Sequence, residues 1–250
     1  MELFLYIDKR SFIHRLDPRT KIVGAIGFFA LALVFNHPLY VFILLCIPII
    51  LSSISFTLGN IYRMRVLLTL LFFFSSVLWP IFLRLSREAI LYGIAMGLRL
   101  DMMTITGILF LSTTRQEELS FGLHKLGIPY RIGFALSMAT RLVPVFLGTG
   151  STVIEAQKSR GLDLDTGNIF VRIKKHIPLI IPIFVSAIKN TDKLAMALES
   201  KGFGSDSPRT YYIESRLDVR DYAFLFFIVL LLTFCIYLRL KGYGIVLARL

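Results

Sequence analysis

YAFLFFIVLLLTFCIYL, Tyr222 to Leu238, is one uninterrupted apolar run without a charge. A helix of that length reaches roughly 26 Å at 1.5 Å per residue, close to the thickness of a hydrocarbon core. Four similar runs come earlier in the chain: Ile22–Phe35, Leu39–Leu58, Val66–Leu83 and Ala89–Leu111. Asp17-Pro18 extends the first of them, with Asp as N-cap and Pro at the first helical position, so that it counts 18 residues from Pro18 to Phe35. Asn36-His37-Pro38 then turns the chain. The composition agrees. Of 250 residues 56% are hydrophobic, 22 are Phe and only 18% are charged, and the mean hydropathy is +0.72. A soluble domain of this length could not bury so much apolar surface. The expected fold is an all-α integral membrane protein with four N-terminal transmembrane helices in 1–113, a three-helix cytoplasmic domain in 114–221, and one C-terminal transmembrane helix with a tail in 222–250.

Loop charge sets the expected orientation. Lys9, Arg10, Arg15, Arg19 and Lys21 precede the first span, and Arg63 and Arg65 lie between the second and third. The turn at Asn36 is uncharged, and Arg84 and Arg87 are a minority against the trend. The N-terminus is therefore expected in the cytoplasm, with the first span as the insertion signal, because no cleavable signal pattern precedes it. The net charge of +12 suits basic loops facing anionic lipid better than nucleic acid. Cys46 and Cys235 lie in apolar runs and read as packing residues.

The segment from Thr114 to Asp221 holds 15 Lys/Arg and 11 Asp/Glu, more than half of the charge in the chain. Its apolar runs, Ile132–Ala139, Leu142–Leu147 and Ile177–Ile188, are each short for a span. The alternative is that one of them crosses the bilayer, and the basic tail (Arg239, Lys241, Arg249) favours it. Thr114-Arg115-Gln116-Glu117 reads as a capping box that opens a helix ending at Gly127-Ile128-Pro129. A second helix is expected from about Pro129 to Arg160, kinked at Pro144. A third is expected from about Asn168 to Gly202, carrying Pro178 and Pro182.

The second and third helices end alike. Ala156-Gln157-Lys158-Ser159-Arg160-Gly161 and Ala197-Leu198-Glu199-Ser200-Lys201-Gly202 share the form Ala-x-x-Ser-basic-Gly. A basic last turn closed by glycine is ordinary for a single helix. Two matched copies in one domain would present two similar cationic knobs (Ser159, Arg160, Gly161 and Ser200, Lys201, Gly202), suited to two similar grooves on a dimeric partner.

In this order and at this spacing, the motifs resemble those of the transmembrane T component of energy-coupling factor (ECF) transporters, the family that includes the CbiQ-type cobalt-transport proteins. Ser11 to Lys21, SFIHRLDPRTK, is similar to the N-terminal signature around Leu-Asp-Pro-Arg-x-Lys. Thr113-Thr114, Glu118-Leu119 and Leu126-Gly127-Ile128-Pro129 resemble the first coupling helix. Arg141-Leu142-Val143-Pro144 resembles the Arg-x-x-Pro of the second, and the two basic-Gly endings, with Phe203 following the second, resemble the paired x-Arg-Gly motifs. Lys201 stands where the usual residue is Arg. The resemblance implies a non-catalytic coupling subunit of a bacterial or archaeal cell membrane, with no cofactor or metal of its own. Two ABC ATPase subunits, carrying ATP and Mg, would bind the two ends. A membrane-embedded S component, binding a vitamin or a transition-metal ion, would lie on an apolar platform.

Phe134, Met138, Leu142, Phe146, Ile180 and Phe184 are the candidates for that platform. No Walker A or H-E-x-x-H pattern occurs. His14, His37, His124 and His176 lack ligand spacing, and Asp163 and Asp165 read as loop-solvating. Arg99 and Asp101, mid-span, are expected to pair with another helix or its carbonyls. Gly93-x-x-x-Gly97 allows close helix approach. An integral-membrane enzyme would need a compact set of Asp, His or Cys at the membrane surface. A self-sufficient channel or carrier would need interrupted half-helices, for which Pro178 and Pro182 are the one hint.

Overall fold

The computed structural model describes residues 9, 11–83, 86–163, 166, 168–204 and 217–244. Every regular element among the described residues is a helix: α1 Pro18–Val34, α2 Pro38–Ile54, α3 Leu58–Arg63, α4 Arg65–Phe82, α5 Arg87–Thr113, α6 Gln116–Lys125, α7 Tyr130–Ser159, α8 Ile169–Ser200 and α9 Val219–Leu240. They form two compact units, 1–133 with 215–250 and 134–214.

The first unit is a bundle around α5, which packs against α4, α2 and α1. Leu31 of α1, Val41 of α2 and Met102 of α5 are fully buried at its centre. The helix starts follow the local chemistry. Asp17 caps α1 by accepting the Arg19 N–H, His37 caps α2 by accepting the Leu39 N–H, and Ser86 caps α5 by accepting the Ala89 N–H. Small residues let helices approach. A Cβ on Gly97 would come within 2.9 Å of the Phe72 ring, and one on Gly93 within 2.7 Å of Pro80, so the Gly93-x-x-x-Gly97 face seats α4. Gly24 and Gly27 do the same for α9, facing Phe224 and Ile228.

Two boundaries differ from the sequence reading. The second apolar run breaks at Ile54 instead of continuing to Leu58. The Ser55 and Thr57 hydroxyls both donate to Ser52 O at 3.2 Å, and Phe56 turns left-handed at φ 58°, which ends the helix and starts the short α3. Thr114 is not the N-cap of α6, and the Glu117 side chain of the expected capping box lies outside the described residues. Thr114 belongs to the end of α5, its N–H donating to Phe110 O, and Arg115 is the N-cap of α6 without a side-chain cap bond. The runs Ile132–Ala139 and Leu142–Leu147 lie in one helix, as expected. Each run is short for a span, but α7 continues through Arg141 and Pro144 and is long and apolar enough to cross a membrane, as are α4, α5 and α9; α2 is shorter.

The second unit pairs most of α7 with α8. Phe134 at the start of α7 stacks on Phe203 just past α8, with ring centroids 4.4 Å apart, and a Cβ on Gly150 would lie 4.0 Å from Ile183. These two contacts run the helices antiparallel. α8 stays continuous through Pro178 and Pro182, so the interrupted half-helix that a carrier would use is not formed there.

Candidate functional site

The two matched endings fold into the same cap. After α7, Gly161 adopts φ 87°; its N–H donates to Lys158 O at 3.0 Å, and the Leu162 N–H donates to Gln157 O at 3.0 Å. After α8, Gly202 adopts φ 73°, its N–H donates to Glu199 O at 2.9 Å, and the Phe203 N–H donates to Leu198 O at 2.9 Å. These bonds satisfy the last helical carbonyls, and only glycine takes the left-handed position without strain. The serines turn inward on their helices, Ser159 donating to Glu155 O and Ser200 to Ala197 O. Arg160 and Lys201 are exposed, and among the described residues neither makes a side-chain hydrogen bond or ion pair. Each is a cation on a fixed helix end with its donors unused.

Cap geometry alone does not single out these two ends. α6 closes the same way at Gly127, and α9 at Gly242. Leu240-Lys241-Gly242-Tyr243 is a third basic-Gly ending, visible in the sequence but missed in reading it. It lacks the Ala-x-x-Ser prefix, and its Lys241 ammonium sits over its own Tyr237 ring at 4.8 Å.

The antiparallel pairing sets the spacing of the matched knobs. Phe203, two residues beyond Lys201, lies on Phe134. Arg160 is roughly 39 Å further along the α7 axis at 1.5 Å per residue. The cations therefore stand at opposite ends of one helix pair.

Residues 9–212 match the family described as cobalt transport protein, CbiQ. The chain belongs to that family. Its relatives include proteins named energy-coupling factor transporter transmembrane protein EcfT. The one from Acidaminococcus fermentans is 31% identical, with 82% of this chain and 84% of the relative covered. The one from Streptococcus thermophilus is 32% identical, covering 86% and 90%. The one from Macrococcus caseolyticus is 30% identical, covering 97% and 98%. The chain is thus an ECF-type T component, a multi-pass membrane protein.

In this CbiQ-family chain the six platform candidates divide. Phe134, Met138, Leu142 and Phe146 recur every fourth residue on the half-buried face of α7, whereas Ile180 and Phe184 are exposed on α8. The apolar surface that is open also includes Ile177, Ile181, Val185 and Ile188 on α8.

Arg99 does pair with carbonyls. Its Nε donates to Ala32 O at 2.9 Å, and one terminal nitrogen donates to Phe35 O and Asn36 Oδ1 at 2.9 and 2.8 Å, closing the end of α1. Asp101 does not follow it, as its Oδ1 is buried without a partner. Each histidine has a local partner: His14 bonds Ser11, His37 caps α2, and His124 and His176 bond the carbonyls of Ile128 and Arg172. Thr166 donates to Asp163. Asp165, Arg10, Arg84 and Arg249 lie outside the described residues. Among the described residues no group of His, Cys, Asp and Glu could hold a metal ion. The sequence reading missed Lys21 and Asp221, both buried. Asp218-x-x-Asp221 is a capping box that could have flagged the second.

Proposed function

We propose that this T component couples two ATP-binding cassette ATPases to a membrane-embedded S component, for ATP-driven uptake of a vitamin or a transition-metal ion. The observation that carries this reading is the pair of identically capped, unpaired cations, Arg160 and Lys201, at opposite ends of the α7–α8 pair. Such spacing fits one ATPase per end. ATP and Mg belong to those partners, and this chain contributes no catalytic group or cofactor. The N-terminus and the α7–α8 ends face the cytoplasm in this reading, in line with the loop charge. The S component lies on apolar surface that includes Ile180 and Phe184, with Phe134, Met138, Leu142 and Phe146 supporting it from α7.

Affinity purification of the tagged chain from its native membrane tests the proposal. Two ATPases and a small hydrophobic protein should come with it, and Arg160→Glu should lose the ATPases. Recovery of the chain alone, or retention of both ATPases by Arg160→Glu, would overturn the reading.

A further inference from the structure

The chain passes from the bundle towards α7 through α6, and a buried ammonium holds α6 in place. Lys21 Nζ is 2.8 Å from Thr113 O, 3.0 Å from His14 O and 3.3 Å from Glu118 Oε2. These three acceptors match its three donors. The Lys21 side chain is 3% exposed and that of Glu118 31%. Two acceptors are neutral carbonyls, one at the end of α5 and one in the N-terminal segment. Glu118 supplies the negative charge in hydrogen-bonding contact, and it is the only one of the three on α6. Asp17 and Asp221 also act on the ammonium, but Glu118 is its strongest charge partner, so separating α6 from α1 is costly.

Packing reinforces the tie. A Cβ on Gly122 would come 2.9 Å from Pro18 Cβ and 3.1 Å from Ile22 Cδ1, so α6 lies directly on α1. A Cβ on Gly133 would come 3.0 Å from Ser120 O, so the first turn of α7 lies directly on α6. The sequence from α1 through α6 to the start of α7 therefore has close contact at each step.

We propose that Glu118, acting through Lys21, is a positioning residue that fixes α6 as the anchor by which movement of the two basic helix ends enters the membrane bundle. This rests on the coupling function proposed above and adds the point of force transfer. Glu118 touches no partner in this scheme, so its loss should separate ATP hydrolysis from transport.

The test uses the full chain, with Cys46 and Cys235 replaced by Ala, co-expressed with its ATPases and S component. Uptake of radiolabelled Co²⁺ and of a radiolabelled B-vitamin mixture is measured alongside ATP hydrolysis and ATPase co-purification. Glu118→Ala and Glu118→Lys should keep the ATPases bound and hydrolysis within about twofold of the parent, while uptake falls about tenfold, as expected for losing one charge-assisted hydrogen bond. A Pro18→Cys/Gly122→Cys pair supplies a covalent substitute. The 2.9 Å separation is slightly inside the usual disulfide Cβ···Cβ span of about 3.5–4.5 Å, so a small backbone shift accommodates it. Oxidised, the pair should restore uptake to Glu118→Ala; reduced, it should not. Unchanged uptake per ATP in both Glu118 variants would overturn the proposal, as would loss of the ATPases in them. Abolished uptake in the oxidised pair on an otherwise parental chain would show that α6 must move, which also overturns it. If the parental chain binds no ATPases, the coupling function itself fails, and this inference falls with it.

Discussion

Asp221, at the third position of α9, accepts the backbone N–H of Asp17, the N-cap of α1, at 2.8 Å. Its other oxygen accepts the N–H of Asp218, the N-cap of its own helix, at 2.8 Å. One buried carboxylate thus joins helix starts more than 200 positions apart. Replacing it should be felt at both. Asp221→Ala leaves two N–H groups unpaired, at about 1–3 kcal/mol each. Asp221→Asn keeps one acceptor oxygen and should cost about half as much. Thermal unfolding in detergent should give the order parent, Asn, Ala from highest to lowest midpoint.

Arg99 is the corresponding tie at the other end of α1, with three hydrogen bonds to Ala32, Phe35 and Asn36. Arg99→Met keeps much of the length and removes all three, leaving carbonyls unpaired inside the bundle. The expected loss is about 2–4 kcal/mol. Arg99→Lys should recover only part of it, because an ammonium lacks the planar fork. Detergent unfolding curves for the two variants check the order.

At the candidate docking ends, the guanidinium of Arg160 can make bidentate contacts that the Lys201 ammonium cannot. Lys201→Ala should weaken ATPase association less than Arg160→Ala, and Lys201→Arg should be tolerated or improve it. A charge-assisted contact of this kind contributes about 1.5–3 kcal/mol. Pull-down at matched membrane expression measures the ranking, and loss of binding in Lys201→Ala alone would reverse it.

The caps make a separate prediction. Gly161 and Gly202 hold positive φ, where a β-branched residue is strained by about 1–2 kcal/mol or more. Gly202→Val should therefore impair ATPase association more than Lys201→Ala does, by re-aiming the whole end. Circular dichroism of the same variant should show the helices retained. A Gly202→Val protein that binds as the parent would show that the cap does not aim the cation.

Orientation is tested by labelling. Single cysteines at Leu126 and Lys193, both exposed, should react with an impermeant reagent only from the cytoplasmic side. Labelling from outside at either position would contradict the docking of cytoplasmic ATPases.

Much of the fold was legible because it is local. Apolar length fixed the existence of α4, α5 and α9, and Asp17-Pro18, His37-Pro38 and the glycines at 161 and 202 fixed helix ends, since a cap needs only its own neighbours. The paired basic endings were visible as a repeat, with their cap geometry implied by the residues that form it. Lys241-Gly242 was equally visible, and shows that the pattern alone selects too many ends.

What lay beyond the sequence depends on contacts between distant segments. No local pattern says which residues of α8 face α7, although the course of α7 through Arg141 and Pro144 was expected. Nor does one say that Arg160 and Lys201 fall at opposite ends of a helix pair; the Phe134–Phe203 and Gly150–Ile183 contacts establish the antiparallel arrangement. Lys21 looked like one more basic residue ahead of a span. It is buried because Thr113, His14 and Glu118 converge on it from three segments, and only the packed bundle brings those acceptors together.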